Sequence, residues 1–294
     1  MTKQLCEQVF TDALAGSEIR ICGPAFTSEK SAEGPSACSS LFFPGCSFLN
    51  ADAALVAQVY SCLLEHRAVG GISLLCCGKL LRFGEAVESV LPAFQKKLVE
   101  SIRHCRVERI VTACPNCVAE FRKAFRLYAP DLAIEVLPLS QVLCDLGFRI
   151  DADMLAAGQD PEGKALQCLA LPLVAVHDSC PDRKSGEFAG SVRALFSPEM
   201  LVEMAHSRRE SICCGSLANA AGRKELATSQ ALENGLEAQE AGAAAIVSYC
   251  ISCTKYLNKR QNRLPAYHYL EFLFGKRLDW KNISPYLDIR FFFD

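Results

Sequence analysis

The feature that most constrains this sequence is a pattern of five cysteines that occurs twice, about 135 residues apart. The first copy reads C-x29-CCG-x35-CxxC and the second reads C-x32-CCG-x34-CxxC. The ten cysteines are Cys46, Cys76, Cys77, Cys114, Cys117, Cys180, Cys213, Cys214, Cys250 and Cys253. No other CC or CxxC step occurs in the chain. The agreement in order and spacing therefore indicates an internal duplication.

Composition excludes several classes of protein. The 294 residues carry a net charge of −2, and Lys and Arg are scattered, so we expect no nucleic-acid partner. No apolar run approaches the ~18 residues of a membrane span, and residues 1–10 lack the apolar core of a signal peptide. We therefore expect a cytoplasmic protein, either free or peripheral to a membrane complex. In that compartment a cysteine-rich chain is more often metal-binding than disulfide-linked.

Short apolar segments precede the cysteines and alternate with segments of helical spacing. The apolar segments are 41–43, 72–75, 109–113, 173–176, 211–212 and 244–247, and the helical segments are 51–66, 85–104, 118–128, 190–205 and 224–242. Each copy also ends in a predicted extended segment, 134–137 and 265–267. This order predicts an α/β fold, with a parallel sheet and crossover helices in each copy. Ligands of such sheets gather beyond the carboxyl ends of the strands, so the sequence predicts one thiol-lined pocket per copy.

The duplication also sets the predicted domain limits. These are an N-terminal extension at 1–40, a first domain at 41–150, a second domain at 172–276 and a C-terminal tail at 277–294. Within the extension, residues 3–14 are predicted to form a short helix and residues 28–40 a loop. Residues 151–163 are predicted to be a linker because they carry Asp, Gly and Pro without periodicity. The three phenylalanines at 291–293 either pack on the body or contact a partner.

Three kinds of chemistry fit clustered cysteines. A redox CxxC at a helix N-terminus has a lowered thiol pKa, but this does not explain Cys46, Cys76 and Cys77. Structural zinc takes four tetrahedral ligands, which leaves one cysteine over in each set. An iron–sulfur cluster is held by cysteine thiolates spread in groups of this kind. We favour the iron–sulfur interpretation, with zinc in one set as the alternative.

The residues around the cysteines resemble the CCG-domain, or cysteine-rich domain, family. The matching motifs are Phe43-Pro44-Gly45-Cys46, Cys76-Cys77-Gly78, Thr112-Ala113-Cys114-Pro115-Asn116-Cys117, His177-Asp178-Ser179-Cys180, Cys213-Cys214-Gly215 and Tyr249-Cys250-Ile251-Ser252-Cys253. The resemblance covers both repeats, and the best understood member of this family is the CCG-containing subunit of heterodisulfide reductase. The chain departs from that subunit in the 40-residue extension before Cys46, and in Ser179 and Pro181, where relatives often have Pro and His.

The resemblance implies two Rossmann-like domains related by a pseudo-two-fold axis. It also implies that each five-cysteine set holds a noncubane [4Fe-4S] cluster. The expected function is that of an oxidoreductase subunit in a heterodisulfide-reductase-like complex, which reduces a small disulfide or thiol-linked substrate lodged between the clusters. The alternative is a non-catalytic subunit that passes electrons to a quinone or a partner enzyme. Either role implies partner subunits with ferredoxin-type clusters or flavin.

Histidines and further cysteines add weaker candidates. His177, close to Cys180, is a candidate proton donor or hydrogen-bond partner of a cluster sulfur. The opposing interpretation is a buried histidine that is satisfied locally, and the same choice applies to His268 near the end of the second repeat. The remaining cysteines have no motif partners and are expected to be small apolar fillers. They are Cys6, Cys22, Cys38, Cys62, Cys105, Cys144 and Cys168.

Overall fold

The computed structural model describes residues 7–14, 17–22, 25–30, 38–83, 87–156 and 173–283. The chain divides into two compact units, with the boundary between Leu139 and Ser140. Several sequence predictions lie outside the described residues: the three terminal phenylalanines, Cys6, Cys168 and the linker beyond residue 156. The predicted domain limits at 150 and 172 stay a prediction.

The first unit is built from strands and helices that alternate along the chain. Its strands are β1 (Glu7–Asp12), β2 (Ser17–Cys22), β3 (Ala25–Lys30), β4 (Ser40–Phe43), β5 (Gly71–Ile72), β6 (Arg109–Thr112) and β7 (Glu135–Pro138). Its helices are α1 (Cys46–Ala51), α2 (Ala53–Glu65), α3 (Val87–His104) and α4 (Pro115–Tyr128). A short 3-10 helix spans Lys79–Phe83.

The sheet of the first unit has the order β3-β2-β1-β5-β4-β6-β7. Strands β5, β4, β6 and β7 are parallel, and β1 joins them through a parallel pairing of Asp12 with Ile72. The predicted helix at 3–14 is wrong over Glu7–Asp12, which form β1. The local sequence is compatible with helix, but pairing with another strand decides the outcome here, because β1 forms a six-residue antiparallel ladder with β2. The predicted loop at 28–40 is wrong at 28–30, which belong to β3, and 31–37 lie outside the described residues.

The second unit repeats the parallel part of this architecture. In chain order its elements are α5 (Leu139–Asp145), which begins at the boundary, α6 (Ala152–Ala156), β8 (Val174–His177), α7 (Glu187–Leu195), β9 (Leu201–Val202), α8 (Ser216–Ala220), α9 (Lys224–Glu240), β10 (Ala245–Ser248), α10 (Ile251–Arg260), β11 (Ala266–His268) and α11 (Tyr269–Leu273). Its sheet has the order β11-β10-β8-β9, and every pairing is parallel. This order matches β7-β6-β4-β5 of the first unit, which confirms the α/β duplication.

The central strands carry continuous apolar runs. Every residue of β8 and β10 is buried, as are three of the four residues of β4. Parallel strands of this kind are covered by helices on both faces, which explains why their sequences do not alternate. Side chains that point to either face are therefore inaccessible, and only the strand ends present residues to a ligand.

The second repeat differs from the prediction between β8 and its CCG step. The predicted helix 190–205 ends at Leu195, and a 3-10 turn at Pro198–Met200 follows. Proline at 198 disfavours a helical residue before it, which explains the early end. The strand predicted at 211–212 is absent from the described chain, and Leu201–Val202 pairs with β8 instead. Among the described helices, none has both the length and the apolar composition that crossing a membrane requires.

Candidate metal centres

The cysteines of the first set lie after neighbouring strands of one sheet. Cys46 begins α1, three residues after β4, and Cys114 is the N-cap of α4, two residues after β6. The turn before α1 depends on Gly45, which has φ +84. A Cβ at this position would lie 3.0 Å from the Cβ of Cys114 and 3.2 Å from the Sγ of Cys117. Glycine therefore allows the turn to approach the CxxC step closely.

The five thiols of the first set form one connected group. The Sγ atoms of Cys46 and Cys76 are 3.9 Å apart. Further thiol–thiol hydrogen bonds link Cys76 to Cys77, Cys77 to Cys117, and Cys117 to Cys114. Cys76, Cys77 and Cys117 are buried, whereas Cys46 and Cys114 are partly exposed. The structure thus brings all five predicted ligands of this set together.

The second set has the same connectivity. Cys180 begins a 3-10 turn three residues after β8, and Cys250 is the N-cap of α10, two residues after β10. Hydrogen bonds join Cys180 to Cys213, and Cys213 to Cys214. Others join Cys214 to Cys253, and Cys253 to Cys250. Here the partly exposed thiols are Cys180 and Cys213. That the ten thiols act as ligands remains a prediction.

Electrostatics within each set favour a bound cation. The hydrogen bond between Cys46 and Cys76 raises the pKa of Cys46 and lowers that of Cys76, because the donor thiol stabilises its neighbour's thiolate. The bond between Cys180 and Cys213 likewise raises the pKa of Cys180 and lowers that of Cys213 to about 2. Five thiolates cannot accumulate in one buried pocket without positive charge, so metal binding and proton release are coupled.

His177 closes β8 and lies against the second set. It is fully buried, and one of its ring nitrogens and the Sγ atoms of Cys214 and Cys253 all lie within 4.8 Å of one another. Its Nδ1 is 2.7 Å from Oδ1 of Asn234 on α9. Burial lowers the pKa of His177, although the hydrogen bond to Asn234 opposes this. Sequence reasoning found His177 but missed Asn234, because a lone asparagine 57 residues away carries no signal.

The loops that carry the two CCG steps are held by different side chains. In the first unit the buried carboxylate of Asp12 accepts hydrogen bonds from the Leu74 amide (2.7 Å) and the Ser73 hydroxyl (3.2 Å). In the second unit the guanidinium of Arg183 donates to the carbonyl and hydroxyl of Ser211. The sequence did not reveal either residue, since each acts on a segment distant in sequence.

A buried ion pair stands beside the second set. Asp178 follows His177 directly and accepts two hydrogen bonds from Arg193, at 2.7 and 2.9 Å. Arg193 also binds Glu203. A small cavity opens next to this pair, and its lining includes Asp182, Arg183, Lys184, Arg208, Arg209 and Tyr249.

The cysteines outside the two sets have partners elsewhere in the described residues. The Sγ atoms of Cys38, Cys105 and Cys144 donate to the backbone carbonyls of Ser40, Ala13 and Ser191, respectively. Cys62 lies 3.9 Å from Nδ1 of His66, and Cys22 lies in β2. None of these contacts involves a thiol of either set, and the role of these cysteines as fillers stays a prediction.

Comparison with known families gives a match in both halves of the chain. The sequence model of the CCG family, described as a cysteine-rich domain, matches residues 40–122 and again residues 174–258. Together the two matches cover more than half of the chain. The chain belongs to the CCG family. Each CCG match contains one complete five-cysteine set, and this membership indicates that the clustered thiols bind a metal or an iron–sulfur cluster.

Solved structures of other proteins resemble the CCG chain only distantly. Glutamate racemase RacE1 from Bacillus anthracis is 14% identical, with 80% of this chain and 77% of that chain covered and a TM-score of 0.36. Picrophilus torridus aspartate racemase is 12% identical, with 83% and 97% covered and a TM-score of 0.36. Likenesses this weak say nothing about the chemistry of this chain. No curated protein matches it.

The residues of both CCG sites fit a metal or cluster. Thiolate sulfur is the donor that zinc and iron–sulfur clusters prefer. Each set offers five contacting sulfurs, and the second also offers Nε2 of His177, a buried atom with no hydrogen-bond partner among the described residues. Zinc ions and cubane clusters use four protein ligands, so neither set lacks donors for them.

Proposed function

We propose that this protein is the iron–sulfur subunit of a heterodisulfide-reductase-like complex. It binds two noncubane [4Fe-4S] clusters, one per five-cysteine set, and reduces a disulfide or thiol-linked substrate. The observation that carries the proposal is the fifth thiol in each set. A zinc ion or a cubane cluster uses four thiolates, yet five thiols are connected by contacts in both units. A larger, noncubane group accounts for all five.

The protein's own residues have separable roles in this proposal. The bound clusters supply one-electron chemistry. The ligands would be Cys46, Cys76, Cys77, Cys114 and Cys117 for one cluster, and Cys180, Cys213, Cys214, Cys250 and Cys253 for the other. Three thiols in each set are buried and exclude water, whereas the other two are partly exposed. The exposed thiols mark the side from which a substrate or an electron-transfer partner approaches.

Electrons must come from, or go to, another protein. The sequence has no C-x2-C-x2-C-x3-C run, the pattern of ferredoxin-type clusters. We therefore expect partner subunits that carry such clusters or flavin.

Anaerobic purification followed by metal and sulfide analysis tests the cofactors. We expect a brown protein with about eight iron and about eight sulfide per chain, from two four-iron clusters. Stoichiometric zinc without sulfide would overturn the cluster assignment.

A second measurement tests the activity. The protein, reduced by a low-potential donor, is offered a panel of small disulfides, and thiol formation is followed. We expect turnover that disappears when the clusters are removed. No turnover, combined with electron transfer to a partner enzyme or a quinone, would contradict disulfide reduction and support the electron-transfer role.

A further inference from the structure

The two units differ at one position next to the thiols. Phe43 ends β4 opposite Thr112 of β6, and His177 ends β8 opposite Ser248 of β10. The two residues are therefore equivalent in the repeated sheets. The ring of Phe43 packs edge-on against Phe121, with 4.8 Å between centroids. The first unit thus places a hydrocarbon where the second places a fully buried imidazole.

The hydrogen bonds of Asn234 fix the tautomer of His177. The amide nitrogen of Asn234 donates to the carbonyls of Gln230 (2.8 Å) and Cys213 (3.2 Å). Its oxygen is therefore the atom 2.7 Å from Nδ1 of His177. An amide oxygen only accepts hydrogen bonds, so Nδ1 carries the ring proton. Nε2 consequently presents a lone pair.

This lone pair points to a ligand role. Nε2 is buried and has no hydrogen-bond partner among the described residues. Leaving such an atom unpaired costs about 1–3 kcal/mol. The buried thiols of Cys214 and Cys253 lie within 4.8 Å of a ring nitrogen of His177. Histidine ligands of metals have their second ring nitrogen held by a hydrogen-bond acceptor, as Asn234 does here.

We propose that the metal centre of the second set has a nitrogen ligand, Nε2 of His177, beside Cys214 and Cys253, whereas the first centre is bound by thiolates alone. The proposal rests on metal binding by the second set and not on disulfide reduction, and it holds for a cluster iron or a zinc ion. A neutral imidazole adds no negative charge, and histidine ligation raises the potential of iron–sulfur centres. In an iron–sulfur form, the second centre is therefore the better electron acceptor of the two.

Isotope labelling tests the nitrogen ligand directly. Protein with 15N-histidine is purified anaerobically, reduced, and measured by pulsed EPR for nitrogen hyperfine coupling. X-ray absorption at the iron and zinc edges counts nitrogen and sulfur neighbours; for zinc these lie at about 2.0–2.1 and 2.3 Å, respectively. We expect a strong coupling that changes with the isotope, or a nitrogen neighbour on zinc if zinc is the bound metal.

Two substitutions assign the signal to a residue. His177→Phe installs the first unit's side chain and should abolish the nitrogen signal. His268→Phe replaces another fully buried histidine of the same sheet, on strand β11 beyond β10, and should preserve it. A wild-type second centre without a nitrogen ligand, or one whose nitrogen signal survives in His177→Phe, would overturn the proposal.

A third variant separates ligation from folding. His177→Cys restores a ligand, so metal should return to the second set with the nitrogen replaced by sulfur and with a lower potential. Asn234→Leu removes the hydrogen bond to Nδ1, together with those to the carbonyls of Gln230 and Cys213, and should weaken metal binding about 10–100-fold. If His177→Phe does not fold, the wild-type isotope effect and the nitrogen-to-sulfur change in His177→Cys decide the question. An unchanged metal spectrum in His177→Cys would argue against ligation.

Discussion

Each unit brings five cysteines together in one group of equivalent connectivity, yet the two units support those cysteines with different chemistry. In the first unit, Asp12 of the N-terminal strand β1 holds the loop before Cys76 through hydrogen bonds to Ser73 and Leu74. In the second, Arg183 holds the corresponding loop at Ser211, and it belongs to the unit's own repeat. The sheet edge fixes where the thiols lie, whereas the anchoring of their loops is free to differ.

The buried glutamates of the two units also differ. Glu120 in the first unit is bound by Arg82, at 2.7 and 3.0 Å, and by Lys79. Burial alone raises the pKa of Glu120, but these cations outweigh it and the pKa is lowered. In the second unit, burial raises the pKa of Glu271 to about 7, although backbone amides and Trp280 donate hydrogen bonds to it. The units should therefore respond differently to substitution and to pH.

The largest expected effect is the loss of one centre without the other. Cys77→Ser should remove the metal of the first set and leave the second spectroscopically intact, and Cys214→Ser should do the reverse, because each set lies within its own unit. About half of the iron should remain in each variant. Metal analysis and EPR measure this. Cys62→Ser is the control and should keep all the metal. If it loses as much iron as Cys77→Ser, the assignment of ligands is wrong.

The next effect concerns the buried ion pair of Arg193 and Asp178 beside the second set. Arg193→Met leaves the buried carboxylate of Asp178 without its cation, which should cost about 3–5 kcal/mol of unfolding free energy. The protein has one tryptophan, Trp280, which lies in the second unit, so its fluorescence during urea denaturation reports on that unit.

Arg103→Met is the matched control for that prediction. It breaks the exposed pair of Arg103 with Asp131 in the first unit and should leave the Trp280 transition unchanged. If both variants behave alike, the buried pair does not stabilise the second unit.

A smaller effect tests how tightly the second CCG loop packs. Gly215 has φ +94, and a Cβ there would lie 2.2 Å from the backbone oxygen of Ala227. Gly215→Ala should therefore cost about 3 kcal/mol or more, from backbone strain and overpacking together. Gly186→Ala also introduces a side chain at positive φ, but into open space, and should cost about 1–2 kcal/mol. Urea denaturation monitored by Trp280 compares them, and equal costs would contradict the clash.

The smallest effect is pH dependence. The pKa of Glu271 in the folded protein is above its unfolded value near 4.5. Its contribution to the free energy of unfolding is therefore fully present below pH 4.5 and is lost as the pH rises through about 7. The second unit should lose about 2–3 kcal/mol between pH 5 and pH 8. Glu271→Gln should flatten this profile, measured by urea denaturation at each pH.

The first unit should show the opposite trend. The lowered pKa of Glu120 gives stability that is present above pH 4.5 and is lost as the pH falls further. Hydrogen exchange of α4 amides at several pH values, in the wild type and in Glu120→Gln, measures this. If Glu120 instead makes the first unit less stable as the pH rises, the predicted difference in pH dependence between the two units is wrong.

Much of the fold could be predicted from residues close in sequence. Apolar and extended segments located seven of the eight parallel strands to within a few residues, because strands buried on both faces have an uninterrupted apolar sequence. Prediction failed at β1 and at β9. The first has a local sequence compatible with helix, and the second is only two residues long and exists through its pairing with Val174 and Ala175. Strand β1 forms through its ladder with the neighbouring strand β2, and β9 forms through a strand distant in the chain.

The sequence by itself determined the duplication, the family and the ten candidate ligands, because repeated spacing of a rare, chemically distinctive residue is visible without a structure. Only the tertiary structure decided which side chains form hydrogen bonds to the candidate ligands and to the loops that carry them. Asn234 reaches His177 from a helix 57 residues away, and Asp12 reaches Leu74 across 62 residues. Hydrogen bonds of this kind depend on distance and direction in space. A single polar residue forms no periodic pattern in the sequence from which its partner could be predicted.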